Sequence, residues 1–423
     1  MTEAVVLLVS FVCLIAVRVP IAFALLLSGS LFFFFEDRLV PWTITQRMFS
    51  GVDSFVILAV PLFILTANLM NEAQVTSRLI RLTMALIGVV RGGLGMVNVA
   101  TSMIFAGVSG SSTADTAAVG SVLIPQMTKR GYDKEFSVAV TASSSVIGTI
   151  IPPSIQMIFW GALTNTSIGA MFLGGMIPGI LIGGGMLAVV YVTAVRQDYP
   201  TEDRIAWSEV RDAFWDSLLA LGVPVVVIGG IILGIVTATE AAVLSVIYAL
   251  ILGLCVYRSI SLRDLPRIFR ESANLSCLPL FALAAASVFS FLLAYYRIPR
   301  LLGGALEGVP IVLLLPAIVL VWLLIGTFLD ALPAMVIMIP VLAPLVVSAG
   351  LDPVQYGVIS VMALASGLIT PPYGLCLLLS ASIADIPMAQ AIRGLWPFFL
   401  VIMGVIVLCM LFPPIVTWLP SLV

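Results

Sequence analysis

The 423-residue chain contains no histidine, which removes imidazole from every role it usually fills: general base, zinc ligand and haem axial ligand. Most hydrolase chemistries go with it. Charge is almost as scarce. Asp, Glu, Lys and Arg make up 9% of residues against 61% from the apolar set, where soluble domains carry roughly 25% charged residues, so a water-soluble fold is excluded. Nineteen Lys+Arg against twenty-one Asp+Glu leave a formal charge of -2, with no basic field for nucleic acid. The five cysteines, Cys13, Cys255, Cys277, Cys376 and Cys409, sit in apolar runs without CxxC spacing. Disulfide frameworks and thiolate metal sites are therefore poor readings, and buried thiols are expected.

What the chain has instead is long uncharged stretches, of the kind a helix needs to cross about 30 Å of hydrocarbon with about 20 apolar residues. The run 136–195 holds sixty residues without an Asp, Glu, Lys or Arg, which predicts two crossings with a turn near Thr164-Asn165-Thr166. Further spans are expected at 4–35 (interrupted by Arg18 and Pro20), 54–70, 217–234, 240–257, 272–296, 353–383 and 394–419, nine in all. No cleavage-site pattern follows the first, so it reads as a span and not a signal peptide. The alternating charges and the two tryptophans of 196–216 predict a cytoplasmic amphipathic linker, and 71–91 reads either as an interfacial arm or as a loop.

Two further regions are apolar but broken in the middle: 92–128 around Ser109-Gly110-Ser111-Ser112-Thr113-Ala114-Asp115, and 308–351 around Asp330. Arms of about 15 and 12 residues in the first reach only about 22 and 18 Å, which predicts a re-entrant hairpin with its tip near the midplane. The second has arms long enough to span, and its hairpin reading rests on a repeat. A shift of 219 positions aligns Gly107 with Gly326, Pro125 with Pro344, Gly131 with Gly350, Gly148 with Gly367, Pro152-Pro153 with Pro371-Pro372, Gly175 with Gly394 and Pro178 with Pro397, without a gap. Chance predicts about 0.7 such Gly or Pro columns, so two related halves are implied.

Fourteen of the nineteen Lys and Arg fall on one face of the resulting topology, and four, Arg38, Arg47, Arg297 and Arg300, on the other, with Arg18 left inside a span. The crowded face is cytoplasmic. Five crossings then separate the hairpins, so the halves are inverted, although parity does not distinguish a hairpin from two full spans. The expected organisation is a span and loop at 1–50, a first repeat at 51–195 with a broken helix at 137–161, the linker at 196–216 and connecting spans at 217–257. A second repeat at 258–423, with a broken helix at 356–382, completes it. The fold class is an all-α polytopic membrane protein.

Each broken helix carries a proline pair, in Gly148-Thr149-Ile150-Ile151-Pro152-Pro153-Ser154 and in Gly367-Leu368-Ile369-Thr370-Pro371-Pro372-Tyr373-Gly374. Two prolines remove two donors and free carbonyls one turn earlier, and in lipid those carbonyls need a partner. Bare carbonyls with Ser and Thr hydroxyls suit a sodium ion, while the half-helix N-termini suit an anion. Asp115 and Asp330 are the acids nearest the tips; each is either a functional carboxylate or a helix cap.

At these residues the sequence resembles the large membrane subunit of tripartite ATP-independent periplasmic (TRAP) transporters. The signatures are Gly107-Val108-Ser109-Gly110-Ser111 with Ala114-Asp115, Gly120-Ser121-Val122-Leu123-Ile124-Pro125, Lys129-Arg130-Gly131-Tyr132, Ile150-Ile151-Pro152-Pro153-Ser154-Ile155 and Ile369-Thr370-Pro371-Pro372. The resemblance implies an elevator-type scaffold and transport domain in a bacterial inner membrane. It implies no cofactor beyond sodium as coupling ion, and uptake of a small carboxylate handed over by a periplasmic substrate-binding protein. A separate small four-helix membrane subunit is a further implied partner, not fused ahead of the first span here. It also implies a first cation site at Ser109, Ser112, Gly148, Ile151 and Pro153 and a second at Gly326, Gly367, Thr370 and Tyr373. The substrate would lie between the tips, among Ser111, Thr113, Asp115, Thr149, Ser154, Asp330 and Pro372. Where the family usually has Asn, this chain has Cys376, a weaker donor.

Other classes remain in view: a self-sufficient organic-anion symporter or exporter, a structural scaffold, and an intramembrane hydrolase. The last would need Lys129 or Lys134 as base for a tip serine, and both sit at the cytoplasmic edge.

Overall fold

The computed structural model describes residues 2–17, 19–35, 39–201, 207–297 and 310–422. Arg18, Arg38, Arg204, Arg300 and the first residues of the 308–351 segment lie outside the described residues. Among the described residues every regular element is helical. The first half comprises α1 (Thr2–Ala16), α2 (Ile21–Phe35), α3 (Trp42–Val52), α4 (Ala59–Glu72), α5 (Val75–Ile87), α6 (Gly93–Ser109), α7 (Ser112–Lys129), α8 (Lys134–Ser145), α9 (Ile155–Thr164) and α10 (Ile168–Arg196). There follow α11 (Trp207–Leu218), α12 (Gly222–Ile232), α13 (Ala238–Val256) and α14 (Leu265–Tyr295). The chain ends with α15 (Ile311–Phe328), α16 (Ala331–Ser348), α17 (Pro353–Gly367), α18 (Leu375–Ala384) and α19 (Met388–Leu411).

Among the described residues four helices, α10, α13, α14 and α19, are long and apolar enough to cross a bilayer unaided, and α11 with α12 meet the same length and composition only together, bent by 43° at their junction. The expected single span at 4–35 is corrected. Phe11 packs on Phe289 at 5.3 Å and Phe33 on Phe291 at 6.2 Å, although twenty-two residues of continuous helix would set the two phenylalanines about 33 Å apart. The chain therefore folds back between α1 and α2, where Pro20 cannot continue the preceding helix. Segment 71–91 is a helical arm. Its Arg78 and Arg81 grip Asp216 of α11 at 3.0 and 3.1 Å, and Arg78 sits 3.8 Å over the ring of Tyr257. The expectation of buried thiols holds for Cys376 and Cys409 only; Cys13, Cys255 and Cys277 are exposed. Their apolar neighbours form outer faces, which in a membrane protein need no burial against protein.

The repeat found in the sequence is also a repeat of structure. Shifting α7 by 219 positions gives the bounds of α16 residue for residue, and α8, α9 and α10 fall on α17, α18 and α19 within a few positions. Both Pro152-Pro153 and Pro371-Pro372 are cis. The first broken helix (α8 and α9) ends where the second (α17 and α18) begins, since Trp160 packs edge-on against Tyr356 at 5.0 Å. At the other end the Gln390 amide, in the first turn of α19 that follows α18, donates to the carboxylate of Glu135 in α8 at 2.5 Å. That bond holds Glu135 below its ordinary carboxyl range. The two broken helices are therefore antiparallel.

Trp160 fits there because Gly357 has no side chain: a Cβ would lie 2.5 Å from the indole nitrogen and 2.7 Å from Met171 Cε. Replacing Gly357 by Leu should destabilise the protein by about 1–3 kcal/mol through overpacking. Gly184→Ala, which meets nothing within 4 Å, should leave the midpoint unchanged or slightly raised; thermal unfolding of the detergent-purified chain measures both.

Candidate functional site

Each hairpin brings its tip to the break of its own broken helix. In the first half, α6 begins beside the start of α8, with Gly95 against Phe136, and ends at Gly110 beside the carbonyl of Pro153. Arms of 17 and 18 residues make the hairpin about 26 to 27 Å deep, longer than expected because α7 continues through Pro125 to Lys129. Gly110 turns the chain in the left-handed region at φ 65°, a conformation that disfavours any Cβ, and its carbonyl accepts the backbone N–H of Ile155 at 3.3 Å.

The second half repeats this stitch. The N–H of Gly374, the counterpart of Ile155 under the 219 shift, donates to the carbonyl of Thr327 at the end of α15, at 3.4 Å. Below it, Gly326 and Gly367 touch backbone to backbone: a Cβ on Gly326 would lie 3.1 Å from the Cα of Gly367. Thr370 returns its hydroxyl to the carbonyl of Ser366 at 2.8 Å, and the Tyr373 ring packs against Phe328 at 6.2 Å. The residues expected at the second cation site thus converge on one break.

At the first tip the Ser109 hydroxyl donates to Asp115 Oδ1, Ser112 donates to Thr149 Oγ1 at 3.3 Å, and the Ser154 hydroxyl donates to the carbonyl of Thr149 at 2.6 Å. Ser154 also caps α9, accepting from the N–H of Met157 at 3.2 Å. The cap of α7 is Ser111, which accepts from the Ala114 N–H at 3.5 Å and pairs with Thr113 at 3.1 Å. Asp115 is therefore no cap, while Asp330 sits at the cap position of α16 and accepts the Ala331 N–H at 2.8 Å. Gly148 lies directly against the Asp115 carboxylate, which a Cβ would strike. Ile151 instead packs its side chain against Gly179.

The residues expected to touch a solute divide by accessibility. Asp115, Thr149 and Ser154 are buried, Ser111 and Thr113 are half-buried, and Asp330 and Pro372 are exposed. Three participants had not been singled out as ligands: Gly110, Thr327 and the hydroxyl pair Thr116 and Ser145, bonded at 2.7 Å. The signal for the first two was present, since each lies at a tip bracketed by the aligned glycines.

A cavity of about 1320 Å³ opens elsewhere, at the end where α9 stops and α17 starts, between Arg47, Ser287 and Ser290 on one wall and Trp160, Thr164 and Tyr356 on the other. Arg47 lies 4.3 Å over the ring of Phe291 there. No tip residue lines this cavity.

Residues 8–415 match the family described as Tripartite ATP-independent periplasmic transporter, DctM component. The chain belongs to that family. It is 34% identical over 406 residues to the sialic acid TRAP transporter large permease protein of Vibrio cholerae, covering 95% of each chain. It is also 37% identical over 392 residues to the ectoine/5-hydroxyectoine TRAP transporter large permease protein of Ruegeria pomeroyi, covering 92% of this chain and 91% of that one. Among solved structures, Neisseria gonorrhoeae MtrF shares the fold at a TM-score of 0.66 and 14% identity, over 87% of this chain and 83% of that one. This TRAP permease is thus a multi-pass membrane protein. Gly148→Ala should displace the Asp115 carboxylate and lower stability by about 1–3 kcal/mol. Thermal unfolding of the detergent-purified variant beside Gly184→Ala checks this.

Proposed function

We propose that the chain is the large permease of a three-component importer, coupling sodium entry to uptake of a small organic acid across a bacterial inner membrane. The observation that carries this reading is the doubled stitch: in two antiparallel halves, a hairpin tip meets a proline-broken helix and leaves backbone oxygens and amides between them. In a bilayer each hairpin is then re-entrant, because its tip reaches only as far as the break of the helix beside it. Carbonyls at the breaks, with the hydroxyls of Ser109, Ser112 and Thr370, take the sodium ions. The N-termini of α7 and α16 carry positive dipole ends toward a solute held against Ser111, Thr113, Asp330 and Pro372. Sialic acid and ectoine in the names of two relatives support a carboxylate solute.

An elevator motion follows: the hairpins and broken helices move as one body past α4, α5, α13 and α14. The cavity beside Arg47 is the solute's approach from the periplasmic side. The family relationship supports two partners, a small four-helix membrane subunit and a periplasmic substrate-binding protein. An enzyme reading has no lysine base within reach of the tip serines, since Lys129, the nearer of the two candidates, lies seventeen residues beyond Ser112, about 26 Å along α7.

Reconstituted vesicles test the proposal. Uptake of radiolabelled sialic acid, ectoine or succinate should require a sodium gradient, the small subunit and the binding protein together. Uptake by the permease alone would replace this with the stand-alone symporter reading. Ser109→Ala and Thr370→Ala should each raise the sodium concentration for half-maximal uptake several-fold, as loss of one oxygen ligand worth about 1 kcal/mol requires. Unchanged sodium dependence in both removes these residues from the cation sites.

A further inference from the structure

The two acids at the tips do not occupy equivalent places. The 219 shift carries Asp115 onto Ala334 and Ser111 onto Asp330, so only the first hairpin holds a carboxylate inside its second arm. Asp115 is fully buried, at 0% exposure. Its Oδ1 takes the Ser109 hydroxyl, while Oδ2 has no hydrogen-bond partner among the described residues and faces Gly148. No lysine or arginine among the described residues pairs with it. An ionised carboxylate left so costs several kcal/mol, which a cation in the same pocket offsets. The same tip carries further oxygens: the Ser109 hydroxyl on the carboxylate itself, the bonded hydroxyls of Ser112 and Thr149, and the carbonyl of Pro153 beside Gly110.

We propose that Asp115 is the charged ligand of the first cation site, receiving sodium on Oδ2, and that the second site, at Gly326, Gly367 and Thr370, is built of neutral oxygens alone. This rests on the sodium-coupled reading above. Gly148, lacking a Cβ, lets the carboxylate approach the helix break directly. Asp115 then does not touch the solute, which its burial also forbids. One sodium neutralises the protein's own carboxylate, and the other offsets the charge of the solute. With a singly charged solute the loaded transport body then carries no net charge at these sites, whereas with solute and the second sodium alone it would carry Asp115 uncompensated and resist crossing the bilayer.

The test is thermal unfolding of the detergent-purified full chain in sodium chloride titrated against choline chloride at constant ionic strength. Wild type should be stabilised by sodium. Asp115→Asn and Asp115→Ser, both neutral, should need at least about tenfold more sodium for the same shift, as loss of one charge-assisted ligand requires. In choline alone the neutral variants should melt at or above wild type, because the uncompensated charge is gone; Thr370→Ala should retain the tight sodium response. If wild type shows no sodium-specific stabilisation, the sodium-coupled reading itself fails. If wild type responds and either neutral variant superimposes on it, the assignment of Asp115 is overturned while that reading stands.

Discussion

The architecture depends on a backbone constraint: a helix interrupted by two prolines halfway through an apolar layer must find partners for the groups it has bared. The protein meets it in the same way twice. In each half an amide two residues past the proline pair, at Ile155 and at Gly374, donates to a carbonyl at the end of a hairpin's first arm. Neither the hairpin tip nor the broken helix is satisfied alone in a medium without water. Together they supply partners that neither has alone. The meeting of tip and break is thus a consequence of how the fold solves its solvation problem.

The two solutions are related but unequal. The first break is sealed, with Pro152, Pro153 and Ser154 all buried, whereas Pro372 and Tyr373 in the second are exposed. The caps differ as well: Ser154 supplies a side-chain acceptor to α9, and α18 begins at a left-handed Gly374 without one. An inverted pair of identical halves would offer two equivalent ion sites and a symmetric solute pocket. The inequality is one of access: the first break is closed by its own residues, and the second opens at Pro372 and Tyr373.

Much of this was legible from sequence because the features that set it are local and coded by residues with few alternatives. Proline pairs and aligned glycines mark breaks and close approaches wherever they occur, and they located both hairpin tips and both broken helices, while the length of the uncharged run 136–195 located the turn at Asn165. The fold-back between α1 and α2 escaped because apolar composition measures length without direction; only the packing of Phe11 and Phe33 on neighbouring positions of α14 reveals it. The inequivalence of Asp115 and Asp330 was present in the register of the repeat, yet proximity to a tip made them look like a pair. Side-chain burial, which separates them, is a property of the assembled tip.

Cys376 joins the two halves. In the sequence it follows closely on Pro372, one of the residues expected to touch a solute. The thiol is instead fully buried, facing Thr116 and Ser145 of the first half and within electrostatic range of both Asp115 and Asp330. Thr116 in turn bonds the carbonyl of Ser112 at the first tip, at 2.8 Å. The first turn of α18, which follows the second break, therefore bears on the Thr116–Ser145 hydroxyl pair beneath the first tip. A thiol is a weak hydrogen-bond partner, so what it contributes here is mainly packing between the halves, at a position closed to solute by its burial.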